Sequence, residues 1–137
     1  MDFIFNQDGN AWFEKCNITA IDPGFVTASG RDAADGPGYV VLDECTIEGK
    51  GSQTTYLGRP WQAFARAVVQ KSALGHVINP KAWQVMGPSK PHAKLAEYGN
   101  TGEGTKREDN TLGSTLQQAL SVEQVLGDTS WIDKEYL

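Results

Sequence analysis

Seven consecutive residues, Thr55-Tyr56-Leu57-Gly58-Arg59-Pro60-Trp61, hold the densest chemistry in the chain. Gly58 admits backbone angles closed to other residues, and Pro60 fixes those that follow. Arg59 and Trp61 are therefore expected at a rigid strand end. An Arg beside a Trp suits a sugar acid: the indole covers an apolar sugar face and the guanidinium pairs a carboxylate. The same two residues also serve as a cation–π packing corner. Spacing alone does not separate these readings.

Asp2 is the second candidate. It opens a short apolar run, Phe3-Ile4-Phe5. Were that run to stack with those at 25–28 and 55–57, Asp2 would lie two strands from Arg59, roughly 10 Å at about 4.8 Å per strand. An Arg side chain closes much of that gap, and the pairing favours an ionised, fixed carboxylate. Such a carboxylate can act as a nucleophile. The plainer role for an Asp at a strand start is to cap a turn.

The elements that must position these groups follow from an internal repeat. Ala11–Ile18, Val40–Ile47 and Ala67–Leu74 each read as three apolar residues, two polar, one small, one variable and one large apolar residue. Cys16, Cys45 and Ser72 occupy the small position, at intervals of 29 and 27 residues. Self-similarity at this period marks a repeat architecture. Phe3–Phe5, Phe25–Ala28 and Thr55–Leu57 form a second series, set off by turns at 6–10, 30–38 and 58–64. With no helix between them, these strands predict an all-β, right-handed parallel β-helix whose coils bury one another's apolar faces. Cys16, Cys45 and Ser72 then form an inward ladder; a disulfide between coils is open but not implied. An antiparallel sandwich requires apolar/polar alternation, whereas Phe3–Phe5 and Val40–Leu42 are continuous, as in strands covered on both faces.

Coils are expected over residues 1–87. Over 88–137 the reading is a long surface loop (99–113), then one or two short helices that pack back on the coils. Ser121 with Gln124 three residues later is a capping box, and Gly127 closes the turn after Val125-Leu126. Hydrophobic residues make up 39% and charged residues 21%, so the chain is neither disordered nor membrane-embedded. A net charge of −5 lacks the basic footprint of a nucleic-acid or anionic-lipid binder. His76 and His92 stand alone, without metal-ligand spacing. Asn17-Ile18-Thr19 is a glycosylation sequon on a predicted strand.

These blocks carry a resemblance. Asp2-Phe3-Ile4-Phe5 with Ala11-Trp12-Phe13 and Cys16, Tyr56-Leu57-Gly58-Arg59-Pro60-Trp61, Val77-Ile78-Asn79-Pro80 with Trp83, Glu97–Gly102 and Ser130-Trp131-Ile132 are similar, in order, to segments of the pectin methylesterase family of carbohydrate esterases. Ala11-Trp12-Phe13 is closer to its fungal and bacterial branches than to the plant one. The resemblance implies methyl-esterified homogalacturonan (pectin) as substrate and partner, with Asp2 as nucleophile on the C6 ester and Arg59 orienting it. It implies Trp61 stacking on a galacturonosyl ring and Trp83 as a second cleft aromatic, with Tyr56 beside them as a substrate-binding residue. No metal or organic cofactor is implied. Because pectin is extracellular, so is the expected place of action, although the opening residues do not resemble a secretory leader.

The sequence departs from the family pattern in two places. The family's second Asp, a general acid/base, and its oxyanion-holding Gln residues lie ahead of the Asp-Phe-Ile-Phe block and have no counterpart here. The chain is therefore expected to be the C-terminal part of a longer esterase, weakly active or inactive alone, and to self-associate through an open β-helix end. A non-catalytic, polysaccharide-binding β-helix is the alternative. The other departure is Asn6, which replaces a Gly; Asn tolerates a left-handed turn there. Asp8 adds a charge nearby but is on the wrong coil to replace the acid/base.

Overall fold

Three successive coils each contribute one strand to three parallel sheets. The computed structural model describes residues 1–109 and 112–137. The first coil holds β1 (Asp2–Asn6), β2 (Ala11–Glu14) and β3 (Asn17–Ala20), and the second holds β4 (Gly24–Ser29), β5 (Val40–Asp43) and β6 (Thr46–Gly49). The third holds β7 (Thr55–Pro60), β8 (Arg66–Gln70) and β9 (Ala73–Leu74); β10 (Lys94–Tyr98) and β11 (Ser114–Thr115) follow. The sheets run β1-β4-β7, β2-β5-β8-β10-β11 and β3-β6-β9, parallel throughout. This is the parallel β-solenoid expected from the repeat.

Each repeat block turns out to be two strands around a corner. The corner residues Lys15, Glu44 and Lys71 are left-handed, with φ of 54°, 52° and 48°. The small residue comes next and explains its own type. The Ser72 hydroxyl accepts the Cys45 N–H at 3.0 Å, and Asn100 Oδ1 accepts the Ser72 N–H at 2.9 Å. A short polar side chain here satisfies an amide that the bend would leave unpaired. Gly99 (φ 61°) and Asn100 repeat the device in a fourth coil. Cys16 and Cys45 are free thiols, and burial pushes the Cys45 thiol up.

Val40, Leu42 and Val69 of the second sheet point into the solenoid core with Val26, Ile47 and Leu57. Val41, Val68 and Ala96 lie instead under Val125 of the helix α1 (Val122–Leu126). Coverage on both faces accounts for the continuous apolar run of β5. Phe3–Phe5 is different: Ile4 meets the core, whereas Phe3 and Phe5 are exposed. The capping box forms, with the Ser121 hydroxyl accepting the Gln124 N–H and Gln124 Oε1 accepting the Ser121 N–H. Leu116 and Leu120 precede α1 and pack beneath it. The buried Gln70 donates to the Leu120 carbonyl and accepts its N–H, at 3.0 and 2.9 Å.

The coils do not stop at residue 87, since β10 and β11 extend the second sheet. Within the expected loop at 99–113, Glu103–Thr105 is a 3-10 turn, and Arg107 pairs Glu97 through Nε at 2.8 Å. Residues 110 and 111 of that loop lie outside the described residues.

Candidate active site

The first sheet lines up the chemistry. Asp2, Phe25 and Tyr56 are register partners across β1, β4 and β7; so are Phe5, Ala28 and Arg59. Arg59 therefore starts three residues along the strands from Asp2 and two strands away. Its side chain closes the distance diagonally over Phe25, whose ring centre lies 4.9 Å from the guanidinium carbon. Nε reaches Asp2 Oδ1 at 2.9 Å and Nη2 reaches Oδ2 at 2.6 Å. This fork-to-fork geometry fixes both oxygens of the carboxylate. Hydrogen bonding to Asp2 pushes the Arg59 guanidinium up against a smaller opposing effect of burial. The side chains are 17% and 20% exposed, so the pair is shielded yet open to a ligand.

Trp61 completes this edge. It is 47% exposed, stands edge-on to Phe5 at 5.3 Å, and lies 5.2 Å from the Arg59 guanidinium. The cation–π contact therefore exists, and it leaves much of the indole exposed. Tyr56 is stacked on Phe25 with ring centres 5.3 Å apart.

Trp83 departs from expectation. It is 2% exposed and belongs to the core, so it cannot stack on a ligand in this conformation. Its strand-like position continues the first sheet beyond Gly58, and this explains the glycine. A Cβ on Gly58 would collide with Thr27 Oγ1 and approach the Trp83 ring to 2.9 Å. Gly58 is not left-handed; close approach, rather than an unusual angle, excludes a side chain. Arg59 and Pro60 are strand residues, not the start of a turn. Asn6 likewise ends β1 without a left-handed angle, and its amide donates to the Gly9 carbonyl.

Two contributors escaped the sequence reading. Phe25 is the platform beneath Arg59, and its signal is register: it occupies the Asp2 and Tyr56 position of the intervening coil. Met86 places its sulfur 3.5 Å from Arg59 Nη1, and nothing in the sequence marks that contact. Asp8 sits on the exposed turn after β1. Among the described residues, no three His, Cys, Asp or Glu side chains converge as metal ligands.

Fold and site together define a parallel β-solenoid that carries an arginine-clamped carboxylate and an exposed tryptophan on one sheet. Residues 1–130 match the pectinesterase family model, and the chain belongs to the pectinesterase family. It is 37% identical to the probable pectinesterase A of Aspergillus fumigatus, over 99% of this chain and 43% of that protein. The pectinesterase of Aspergillus aculeatus is 33% identical over 99% and 45%. Among solved structures, the pectin methylesterase from Aspergillus niger superposes with a TM-score of 0.89 at 34% identity, covering 98% of this chain and 46% of that one. The carrot enzyme gives 0.74 at 29% identity, over 85% and 41%. The chain thus spans less than half the length of the relatives it matches.

Proposed function

We propose that this chain carries the nucleophile half of a pectin methylesterase site, with Asp2 attacking the C6 methyl ester of homogalacturonan. The observation that carries the reading is the two-point clamp of Arg59 on Asp2 beside the exposed Trp61. One carboxylate oxygen bonds to the ester carbonyl carbon. The tetrahedral intermediate collapses to a mixed anhydride, and the methoxy group leaves as methanol once it gains a proton. Water then cleaves the anhydride into the Asp2 carboxylate and galacturonate with loss of two protons, one of which replaces the proton taken by the methoxy group. Arg59 holds the attacking oxygen in place through the sequence, and Trp61 and Tyr56 border the polymer. Trp83 supports that wall from the core.

The proton for the leaving methoxy group needs a donor. Among the described residues, Asp2 has no side-chain hydrogen-bond partner but Arg59. We therefore assign slow turnover to these 137 residues acting alone. A missing acid/base typically costs about 10²–10⁴ in rate, and a missing oxyanion donor about 10²–10³. Because pectin lies outside the cell, the proposed place of action is extracellular; no helix among the described residues is long and apolar enough to cross a membrane. The exposed Phe3 and Phe5 of β1 are the proposed surface for self-association, which light scattering measures directly.

The deciding experiment is methanol release from highly methylated pectin. Expected is a rate at least about 100-fold below that of the Aspergillus niger enzyme, falling to background in Asp2→Asn. Residual turnover that survives Asp2→Asn would remove Asp2 as nucleophile. Pectin binding with no methanol at all would favour the binding-module reading.

A further inference from the structure

A second charged feature lies one short loop from the Asp2 site. Arg31, Arg66, Lys94 and His92 line a pocket of about 350 Å³ with Phe64, and among the described residues no acidic one lines it. Arg31 is 4% exposed. Its guanidinium donates to the carbonyls of Ala34, Gly36, Pro37 and Phe64, at 3.0, 3.3, 3.1 and 3.1 Å. Neutral carbonyls tether that charge without cancelling it. Burial and the nearby Arg66 both lower the Arg31 pKa, and Asp35 partly opposes them.

Arg66 and Lys94 are register partners on adjacent strands β8 and β10. Like charges directly opposite across neighbouring strands destabilise a sheet. Among the described strands one other like-charge pair stands in register, Glu14 and Asp43 on β2 and β5, and there Lys71 pairs Asp43 at 2.9 Å. At the left-handed corner, Lys15, Glu44 and Lys71 alternate in sign, with contacts of 3.9 and 3.6 Å. At the basic pocket, by contrast, no carboxylate among the described residues pairs with Arg31, Arg66 or Lys94 within 4.0 Å. An otherwise acidic chain thus gathers unneutralised cations in one concavity. The pocket also has a flat wall: Phe64 and His92 stack with ring centres 5.1 Å apart and planes 13° apart. Phe64 follows the exposed Trp61 by three residues, so the two backbones lie within about 10 Å of each other.

We propose that this pocket is an auxiliary subsite for the free carboxylates of a uronate chain running past Trp61. Arg66 and Lys94 pair the carboxylates, Arg31 supplies a fixed positive background, and the Phe64–His92 stack meets a sugar face. Several cations beside an aromatic wall fit an anionic sugar chain better than a lone inorganic anion. The ligand class rests on the pectinesterase reading, since free galacturonate is the product of that reaction. The subsite would hold the stretch already de-esterified.

The test is titration of the 137-residue chain with trigalacturonic acid, followed by proton NMR of the imidazoles. The chain has two histidines. His92 is in the pocket, and His76 lies by the third sheet. Expected is a saturable shift at His92 with His76 unmoved. In Arg66→Gln/Lys94→Gln affinity falls about tenfold, and thermal stability is retained because a like-charge pair has been removed. Fully methyl-esterified trigalacturonate gives a weaker shift. The proposal is overturned if His92 stays still, if the double variant binds as tightly as the parent, or if inorganic phosphate at equal concentration produces the same shift. The readout involves no hydrolysis, so loss of the esterase reading and loss of this subsite are separate results.

Discussion

Arg59 and Asp2 are 57 residues apart in the chain and 2.6 Å apart in space. The solenoid makes the meeting possible by stacking β1, β4 and β7 in register. With both side chains mostly shielded, removing one partner strands the other. Arg59→Met is expected to cost about 1–3 kcal/mol. The double variant with Asp2→Asn should recover part of that loss, with a coupling of about 1 kcal/mol or more. Urea denaturation followed by tryptophan fluorescence reads both values. Strict additivity would mean that the clamp does not hold Asp2.

Trp61 and Trp83 should separate binding from stability. Trp61→Ala removes a half-exposed ring and is expected to weaken pectin-oligomer binding about 3- to 10-fold, the equivalent of one aromatic contact, with little change in melting temperature. Trp83→Ala opens a cavity beside Leu57 and Ala82 in the core and is expected to cost about 3–5 kcal/mol. Thermal melts and oligomer titrations on both variants check the split. A stable Trp83→Ala that had lost only binding would restore Trp83 to the cleft.

The reach of sequence reasoning can be followed through these residues. The interval between Cys16, Cys45 and Ser72 exposes the coil length, because one bend needs one small polar side chain per turn. Asp2 and Arg59 are legible as a pair because the strand count converts sequence distance into about 10 Å. The corner between β2 and β3 is not legible. Lys15, Glu44 and Lys71 adopt left-handed angles although none is a residue type that signals one. Trp83 is misplaced for a related reason: the resemblance marks an aromatic at that position but not whether it faces solvent or core. Its burial, closed over the bare backbone of Gly58, shows which side it occupies.

Gly58 gives a direct test of that packing. A methyl group there would meet Thr27 Oγ1, the Thr27 carbonyl and the Trp83 ring. Gly58→Ala is expected to destabilise by about 1–3 kcal/mol through overpacking, and to reduce any ester hydrolysis further by displacing the adjacent Arg59. Adding Thr27→Ala relieves the nearest collision and should restore part of the stability, though not the contact to the carbonyl. Urea midpoints for the two variants measure this. A Gly58→Ala protein as stable as the parent would mean that the first sheet and Trp83 are less tightly apposed.

Asp43 and Lys71 predict how stability depends on pH. Asp43 is buried, receives the Gln70 amide at 2.7 Å, and pairs Lys71 Nζ at 2.9 Å. The hydrogen bond to Asp43 raises the Lys71 pKa. A raised ammonium pKa contributes stability that is fully present below the unfolded value, about 10.4, and is lost as pH climbs through the folded value. The Lys71 side chain is 39% exposed, so solvent screens much of the interaction. Lys71→Met should therefore lie only about 1–2 kcal/mol below the parent at pH 7, chiefly because Asp43 loses its cation. That gap should hold steady to about pH 9 and narrow above about pH 10.5, as the parent's own ammonium deprotonates. Urea midpoints between pH 7 and 11.5 give the profile. A gap that widens with rising pH would reverse the sign and remove the Lys71–Asp43 pair as its source.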